Sequence, residues 1–240
     1  MQDFRFQPRL IPTLGMLCLM ALFVYLGLWQ AGKADRRSAE LAQHHTRAGL
    51  GALRVDQKLV DPLALQDMPV TVRGQYEPEH QFFVDNRQEN GKPGVHVVTP
   101  FKISGGETRI LVNRGWVGWT QGRSVLPTVS TPAGEIEVSG RAAVPSIKKF
   151  FLMPEHAEAD PRLWSRLDLE RFTKEHRFPV QPVVVLQTSD TDVKDGLVRN
   201  WQPPQDRVAM HQSYSFQWFG MALALLIFYV IASVRKRTPA

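Results

Sequence analysis

Two long apolar stretches lie near the two ends of the chain, and a longer, more polar stretch separates them. The first, 10–29, reads LIPTLGMLCLMALFVYLGLW and contains no acidic or basic residue. The second, 218–234, reads WFGMALALLIFYVIASV and is followed directly by a basic triplet. A helix of about 20 apolar residues spans the hydrocarbon core of a bilayer. The pattern predicts a membrane protein with transmembrane helices over 10–30 and 213–234.

A cleaved signal peptide is the alternative interpretation of the first stretch, because the stretch is N-terminal and follows Arg5 and Arg9. The apolar region of a signal peptide usually has about 7 to 15 residues and ends in small residues at the cleavage site. The first stretch is longer and ends in Leu28, Trp29 and Gln30. We therefore predict an uncleaved helix.

The basic residues that flank the two helices indicate an orientation. Arg5 and Arg9 precede the first helix, the triplet at 235–237 follows the second, and basic residues in short flanks tend to stay in the cytoplasm. Basic residues also follow the first helix on its other side and argue against this orientation. They begin a loop of about 180 residues, however, and long domains translocate largely regardless of charge. We predict cytoplasmic tails at 1–9 and 235–240, and an extracytoplasmic domain at 31–212.

The net charge of +6 fits this topology better than it fits a nucleic-acid partner. The two short tails hold five basic residues and one acidic residue, whereas 10–234 holds 24 basic and 22 acidic residues. The excess charge therefore lies beside the membrane, and we predict a lipid bilayer and no nucleic acid as a partner. The single cysteine, Cys18, lies within the first apolar stretch, so the external domain contains no disulfide.

Between the two helices the pattern changes from helical to strand-like. Lys33–Arg47 is rich in helix formers and extends the first helix until Gly49 and Gly51. Alternating apolar and polar positions then predict short strands at 70–76, 81–85, 95–103, 108–119 and 135–143. A helix over Asp168–His176 and a strand over Val180–Leu186, held to an edge or interrupted by Pro182, follow. The external domain is predicted to be mainly β, of the α+β class, with an antiparallel sheet or a small barrel.

The adjacent His44 and His45 are candidate metal ligands. Neighbouring positions on a helix diverge by about 100°, so the two rings cannot easily share one ion. We predict a solvated surface pair instead.

The sequence contains no catalytic pattern that points to a reaction. It has no G-x-S-x-G elbow, no H-E-x-x-H zinc pattern, no glycine-rich phosphate loop and no C-x-x-C. We therefore predict that the protein is not an enzyme.

The start of the second helix carries the most informative side chains. If the helix begins near Arg207, then His211, Tyr214 or Ser215, Trp218 and Ala222 share one face. Tyr25 and Trp29 share a face at the corresponding end of the first helix. An interfacial belt of aromatic side chains explains this pattern, because amphipathic rings favour the membrane surface. The alternative is that neutral His211 ligates the iron of a haem held between the helices.

A second cluster lies in the strand predicted at 108–119, where Asn113-Arg114-Gly115-Trp116 occurs. Arg114 and Trp116 share a face of an extended strand, and Gly115 permits a bulge or a close backbone contact. Arg114 is either a recognition element for a carboxylate or propionate, or a sheet residue fixed by packing.

Five segments taken in order resemble the surfeit locus protein one family. They are Leu26-Gly27-Leu28-Trp29-Gln30; Val72-Arg73-Gly74-Gln75-Tyr76; Val112-Asn113-Arg114-Gly115-Trp116-Val117; Trp164 with Asp168; and His211-x-x-Tyr214-x-x-Gln217-Trp218-Phe219-x-x-Ala222. The chain departs from the family pattern at Lys33, Gly118, Ala209, Met210 and Ser215. These departures leave the histidine, tyrosine and tryptophan of the last segment in place.

The resemblance implies an assembly factor for haem-copper cytochrome c oxidase in a bacterial inner membrane, with the central domain in the periplasm. Such a factor assists the delivery of haem a to oxidase subunit one, and haem a synthase is a further expected partner. The resemblance implies that His211 contacts the haem iron and that Trp29, Tyr214 and Trp218 line the site. Partner-binding or structural roles are then expected for Gly27, Gln30, Asn113, Arg114, Gly115 and Trp116. The alternative is a membrane-anchored scaffold that stabilises an oxidase assembly intermediate without binding haem.

Overall fold

A computed structural model describes residues 4–120, 122–123, 125–145, 160–189, 195–201 and 207–236. In this part of the chain the elements follow in the order β1 (Phe4–Phe6), α1 (Leu10–Ala48), β2 (Leu53–Val55), α2 (Pro62–Leu65), β3 (Pro69–Tyr76), β4 (Phe82–Glu89), β5 (Lys92–Ile103), β6 (Arg109–Gly118), β7 (Ile136–Ala143), β8 (Leu163–Trp164), α3 (Leu169–His176), β9 (Val180–Gln187), α4 (Val208–Ser233) and β10 (Val234–Lys236). The chain forms two compact units, one of 1–43 with 203–240 and one of 44–202.

The terminal helices α1 and α4 have the length and composition of membrane spans. They contain 39 and 26 residues, and only 11% and 17% of their most apolar windows are buried. A core helix of a soluble protein would be mostly buried, so the low burial is consistent with helices that face lipid. As predicted, α1 continues through the polar segment and ends at Ala48, directly before Gly49.

Five strands of the second unit close into a barrel. Hydrogen-bonded neighbours follow in the order β3, β7, β9, β6 and β5, and β5 pairs again with β3 through Gly74 opposite Ile103 and Tyr76 opposite Phe101. The prediction of a mainly β domain with a small barrel is therefore confirmed. The short strands β2 and β8 lie outside the ring, beside β3 and β4.

The barrel is not antiparallel throughout, because β9 runs parallel to β6. The chain between β7 and β9 contains α3, and a connection with a helix is the usual way to bring a strand in parallel to a neighbour. The edge position considered for β9 is wrong, since β9 lies between β6 and β7. The other alternative holds: the β6–β9 register shifts between Val180 and Val184, where Pro182 lies.

Alternation along the strands fills the barrel interior with apolar side chains. The buried cluster includes Val70, Val72, Phe101, Ile110, Val112, Val138, Ala142, Val183 and Val185. A second cluster lies under α3, where Phe172 is completely buried and Phe82 stacks on Trp164 with ring centroids 4.1 Å apart. As predicted, Asp168 caps α3: its side chain accepts a hydrogen bond from the Arg171 backbone N–H at 3.0 Å.

Closure of the ring depends on Gly74, and this gives a stability prediction. A Cβ at Gly74 would overlap the Lys102 carbonyl oxygen on the facing strand β5. Gly74→Ala is therefore expected to lower the free energy of unfolding by about 1–3 kcal/mol. Denaturant unfolding followed by tryptophan fluorescence measures the effect. Gly51→Ala is the control, since no atom lies within 4 Å of a Cβ there; equal midpoints for the two variants would contradict the prediction.

Candidate functional site

Small residues of the helices α1 and α4 meet at one contact between them. The Ser215 hydroxyl donates a hydrogen bond to the Gly27 carbonyl oxygen at 2.9 Å. A Cβ on Gly27 would lie 2.8 Å from the Phe219 ring, so a larger residue at this position would require that ring to move. Ser215 and Ala222 are both buried in this contact. Small residues play this part at helix interfaces in membranes, where close backbone packing provides much of the attraction.

One turn above this contact, His211 in the first turn of α4 meets Gln30 of α1. The distance from His211 Nδ1 to Gln30 Oε1 is 2.9 Å. Because a carbonyl oxygen only accepts, this bond places the imidazole proton on Nδ1. In this tautomer Nε2 is the nitrogen that a metal would use. Among the described residues, no hydrogen-bond partner occupies Nε2.

The face of α4 that meets α1 matches one of the two predicted alternatives. His211, Ser215 and Trp218 all contact α1, and the Trp218 ring lies 5.8 Å from the Phe23 ring. Tyr214 lies off this face and exposes 45% of its surface. The hydroxyl of Ser215, rather than the ring of Tyr214, therefore forms the helix contact.

The remaining aromatic side chains predicted for the site lie on exposed helix surface. Trp29 exposes 43% of its surface, and the Lys33 ammonium nitrogen lies 3.7 Å from its ring centroid. Tyr25 is also exposed. Exposed rings at this level of both helices suit an interfacial belt, and they also suit an apolar ligand placed against the helices.

Sequence analysis did not predict that His211 pairs with Gln30, although both residues belong to the five segments that resemble the family. Nothing in a single sequence specifies which residue of one helix meets which residue of another helix 181 positions away. The spacing offered a usable signal: His211 lies four residues before the helix-contact residue Ser215, and Gln30 lies three residues after the helix-contact residue Gly27.

In the barrel unit, Arg114 of β6 is a completely buried cation whose guanidinium is bound by other residues of this chain. Its guanidinium donates to the Thr131 hydroxyl at 2.7 Å and to the Ser130 carbonyl at 2.6 Å. Its Nη2 lies 3.3 Å from an Asp195 carboxylate oxygen whose side chain is 3% exposed. It also lies over the Tyr76 ring at 5.1 Å. These contacts give Arg114 a structural role in the barrel, as in the packing alternative.

Gly115 makes the predicted close backbone contact. Its φ is +143°, a conformation that residues with a Cβ rarely adopt, and a Cβ there would lie 2.9 Å from the Val198 carbonyl oxygen. The neighbouring Trp116 exchanges two backbone hydrogen bonds of 2.8 Å with Val198. As predicted, a bulge occurs here: Gly115 faces Val97 and Asn113 faces Val98, which leaves Arg114 as the extra residue.

Asn113 contacts a partly buried histidine, His96, that sequence reasoning did not single out. The Asn113 side-chain amide lies 3.1 Å from His96 Nδ1. Burial, together with the nearby Arg87, lowers the pKa of His96 to about 4. His96 is therefore neutral at physiological pH, and its contact with Asn113 joins the neighbouring strands β5 and β6.

The prediction that His44 and His45 form a solvated pair is wrong for His44, which is buried. The end of α1 packs within the barrel unit, where Arg141 donates to His44 Nε2 and an Asp67 carboxylate oxygen lies 3.8 Å away. Burial is the main cause that lowers the pKa of His44, and Asp67 opposes it. Helical spacing alone did not reveal that one side of this segment faces the sheet.

Known proteins are similar to the chain over most of its length. The family model of the SURF1 family matches residues 17–223. A SURF1-like protein of Rickettsia felis is 25% identical over 225 residues, covering 91% of this chain and 95% of that protein. Surfeit locus protein 1 of Rattus norvegicus is 24% identical over 244 residues, covering 93% of this chain and 76% of that protein. With its two terminal apolar helices and β-rich domain, the chain belongs to the SURF1 family.

Proposed function

We propose that this protein is a non-enzymatic assembly factor for haem-copper cytochrome c oxidase that binds haem a as cargo and assists its transfer to oxidase subunit one. Membership of the SURF1 family and the two candidate membrane helices support this proposal. The protein makes and breaks no covalent bond in this role. It binds a cofactor and a partner subunit and then releases both.

The observation that carries the proposal is the hydrogen bond between His211 and Gln30. Histidines that ligate metals almost always donate their other ring N–H to a carbonyl or carboxylate, which fixes the tautomer and the ring orientation. His211 Nδ1 makes such a bond at 2.9 Å, and Nε2 keeps its lone pair. A neutral imidazole of this kind is a common axial ligand of haem iron. The donor set therefore fits a haem held by one histidine of this chain.

Exposed aromatic surface near His211 is the second requirement of a haem site. A haem is a flat, largely apolar ring that gains from contact with aromatic side chains. Trp29 and Tyr214 offer exposed rings on the two helices. Trp218 lies about two turns after His211 along α4. We assign these three residues to contacts with the macrocycle, and we assign His211 to the iron.

The proposed topology places both termini in the cytoplasm of a bacterium and the barrel domain in the periplasm. The basic tails support this orientation by the tendency of short basic flanks to stay inside. The barrel then offers a folded surface to oxidase subunit one, and haem a synthase is the proposed source of the cargo. Asn113, Arg114, Gly115 and Trp116 support this surface by holding the barrel together.

The visible spectrum of the full-length protein tests the proposal. The protein is purified in detergent from cells that make haem a, with oxidase subunit one co-expressed. We expect a haem a absorbance band and co-purification of subunit one. Co-purification of subunit one without any haem would favour the scaffold alternative. The absence of both haem and subunit one would overturn the proposal.

A further inference from the structure

A cleft lies between α1 and α4 at the ends of the helices farthest from His211. Its volume is about 400 Å³, within the range of small-molecule sites. Apolar side chains form most of its wall, among them Met16, Leu19, Leu225 and Phe228. Arg9 and Tyr229 lie at the same cleft and supply its polar groups.

Polar contacts hold this end of the helix pair in a defined arrangement. The Thr13 hydroxyl lies 2.5 Å from the Tyr229 hydroxyl, and the Gln7 backbone N–H donates to the Ser233 carbonyl oxygen at 2.8 Å. Beyond them, β1 pairs with β10 as a short antiparallel ribbon. Segments from both ends of the described chain therefore lie at this end of the cleft.

The two tails that form the ribbon carry an excess of basic residues in the sequence. The register of the ribbon sets Arg5 directly opposite Arg235, and Lys236 follows. Like charges at directly opposed positions destabilise an antiparallel pair. In the sequence, the tails 1–9 and 235–240 contain five basic residues and one acidic residue, Asp3, so basic residues are in excess at this end. An anion bound at this end would remove the repulsion.

We propose that the cleft binds an anionic phospholipid, with an acyl chain along the apolar wall and the phosphate against Arg9 and the ribbon. Basic pockets between transmembrane helices bind anionic head groups, because cationic side chains beside the membrane are attracted to negatively charged lipids. The apolar wall favours a lipid over free phosphate, because free phosphate has no acyl chain that could contact the wall. The inference rests on the part of the proposed function in which both helices cross a bilayer; it does not depend on haem binding.

Retention of lipid by the full-length protein tests the inference. Protein in detergent is equilibrated with phosphatidylglycerol or phosphatidylcholine, and the bound lipid is counted by native mass spectrometry. We expect at least a tenfold preference for phosphatidylglycerol. The double variant Arg9→Gln/Arg235→Gln is expected to lose this preference, whereas the matched control Arg36→Gln/Arg37→Gln on the same long helix keeps it. Equal binding of both lipids by the unaltered protein, or an unchanged preference in the first variant, would overturn the inference.

A steric variant and a phosphate competitor identify the part of the lipid that is recognised. No atom lies within 4 Å of a Cβ at Gly15, which lines the cleft, so Gly15→Phe fills the space without overlap at the Cβ. We expect Gly15→Phe to retain less phosphatidylglycerol while circular dichroism shows unchanged helix content. Displacement of phosphatidylglycerol by millimolar inorganic phosphate alone would overturn the lipid assignment. The haem spectrum of the same preparation separates this outcome from a failure of the proposed function.

Discussion

Replacing His211 with alanine is expected to abolish the haem a absorbance band of the purified protein. Alanine removes Nε2, the nitrogen that we assign to the iron, and leaves Gln30 at the helix contact without its partner. The close packing at Gly27 and Ser215 lies one turn away and does not involve the imidazole, so the helix pair is expected to persist. Visible absorption measures the haem, and circular dichroism measures the helix content of the same sample.

His45→Ala is the matched control for this experiment, because His45 is an exposed histidine on α1 that belongs to the other unit of the chain. It is expected to keep the full haem band. Stoichiometric haem in the His211→Ala protein would exclude His211 as the ligand, even if the protein proved to be an oxidase assembly factor in every other respect.

Gln30→Leu tests the same site without removing the ligand. Leucine has a similar volume but accepts no hydrogen bond, so the Nδ1 proton loses its acceptor and the imidazole loses its fixed orientation. Loss of such a partner typically weakens metal binding 10–100-fold. We expect a weaker haem affinity in a titration, with the position of the band retained at saturation. An affinity equal to that of the unaltered protein would show that Gln30 only packs.

Replacing Arg114 with methionine is expected to lower the free energy of unfolding by about 3–5 kcal/mol, the usual cost of removing one partner from a buried ion pair. Methionine fills part of the volume but cannot donate to Thr131, Ser130 or Asp195. The Asp195 carboxylate stays buried and keeps its contacts with Arg199 and with the Leu197 backbone N–H. Denaturant unfolding of the full-length protein, followed by tryptophan fluorescence, measures the loss.

Arg54→Met is the control for charge and composition, since Arg54 is exposed on the short strand β2. Surface substitutions of this kind usually change the free energy of unfolding by less than about 0.5 kcal/mol. If Arg114→Met unfolds at the same denaturant concentration as Arg54→Met but fails to bind oxidase subunit one, Arg114 is a recognition residue instead of a structural one.

Local periodicity accounts for the parts of this fold that were predictable. Period-two alternation predicted the strands around Val72, Val97 and Val112, and the Asp168 cap predicted the start of α3, because each signal resides in a few consecutive residues. The segment Lys33–Arg47 likewise predicted the extension of α1 by its composition.

Contacts between distant segments account for the rest. The parallel pairing of β6 with β9 depends on where the chain returns after α3, and no local pattern records it. The burial of His44 depends on Arg141, 97 residues away, and the fixation of Arg114 depends on Asp195, 81 residues away. For the site, spacing predicted the His211 face of α4 but not that Ser215 rather than Tyr214 would meet Gly27.

The closed ring of strands leaves the barrel domain almost no edge to which another strand can add. Closure pairs both sides of β3, β5, β6, β7 and β9, and three strands lie outside the ring: β2 with three residues, β8 with two and β4 with eight. Where β4 extends past β8, it carries Asp85, Arg87 and Glu89, and charged residues on an edge discourage strand addition. In the proposed assembly role, the barrel would therefore contact a partner subunit through its side chains and not by strand addition.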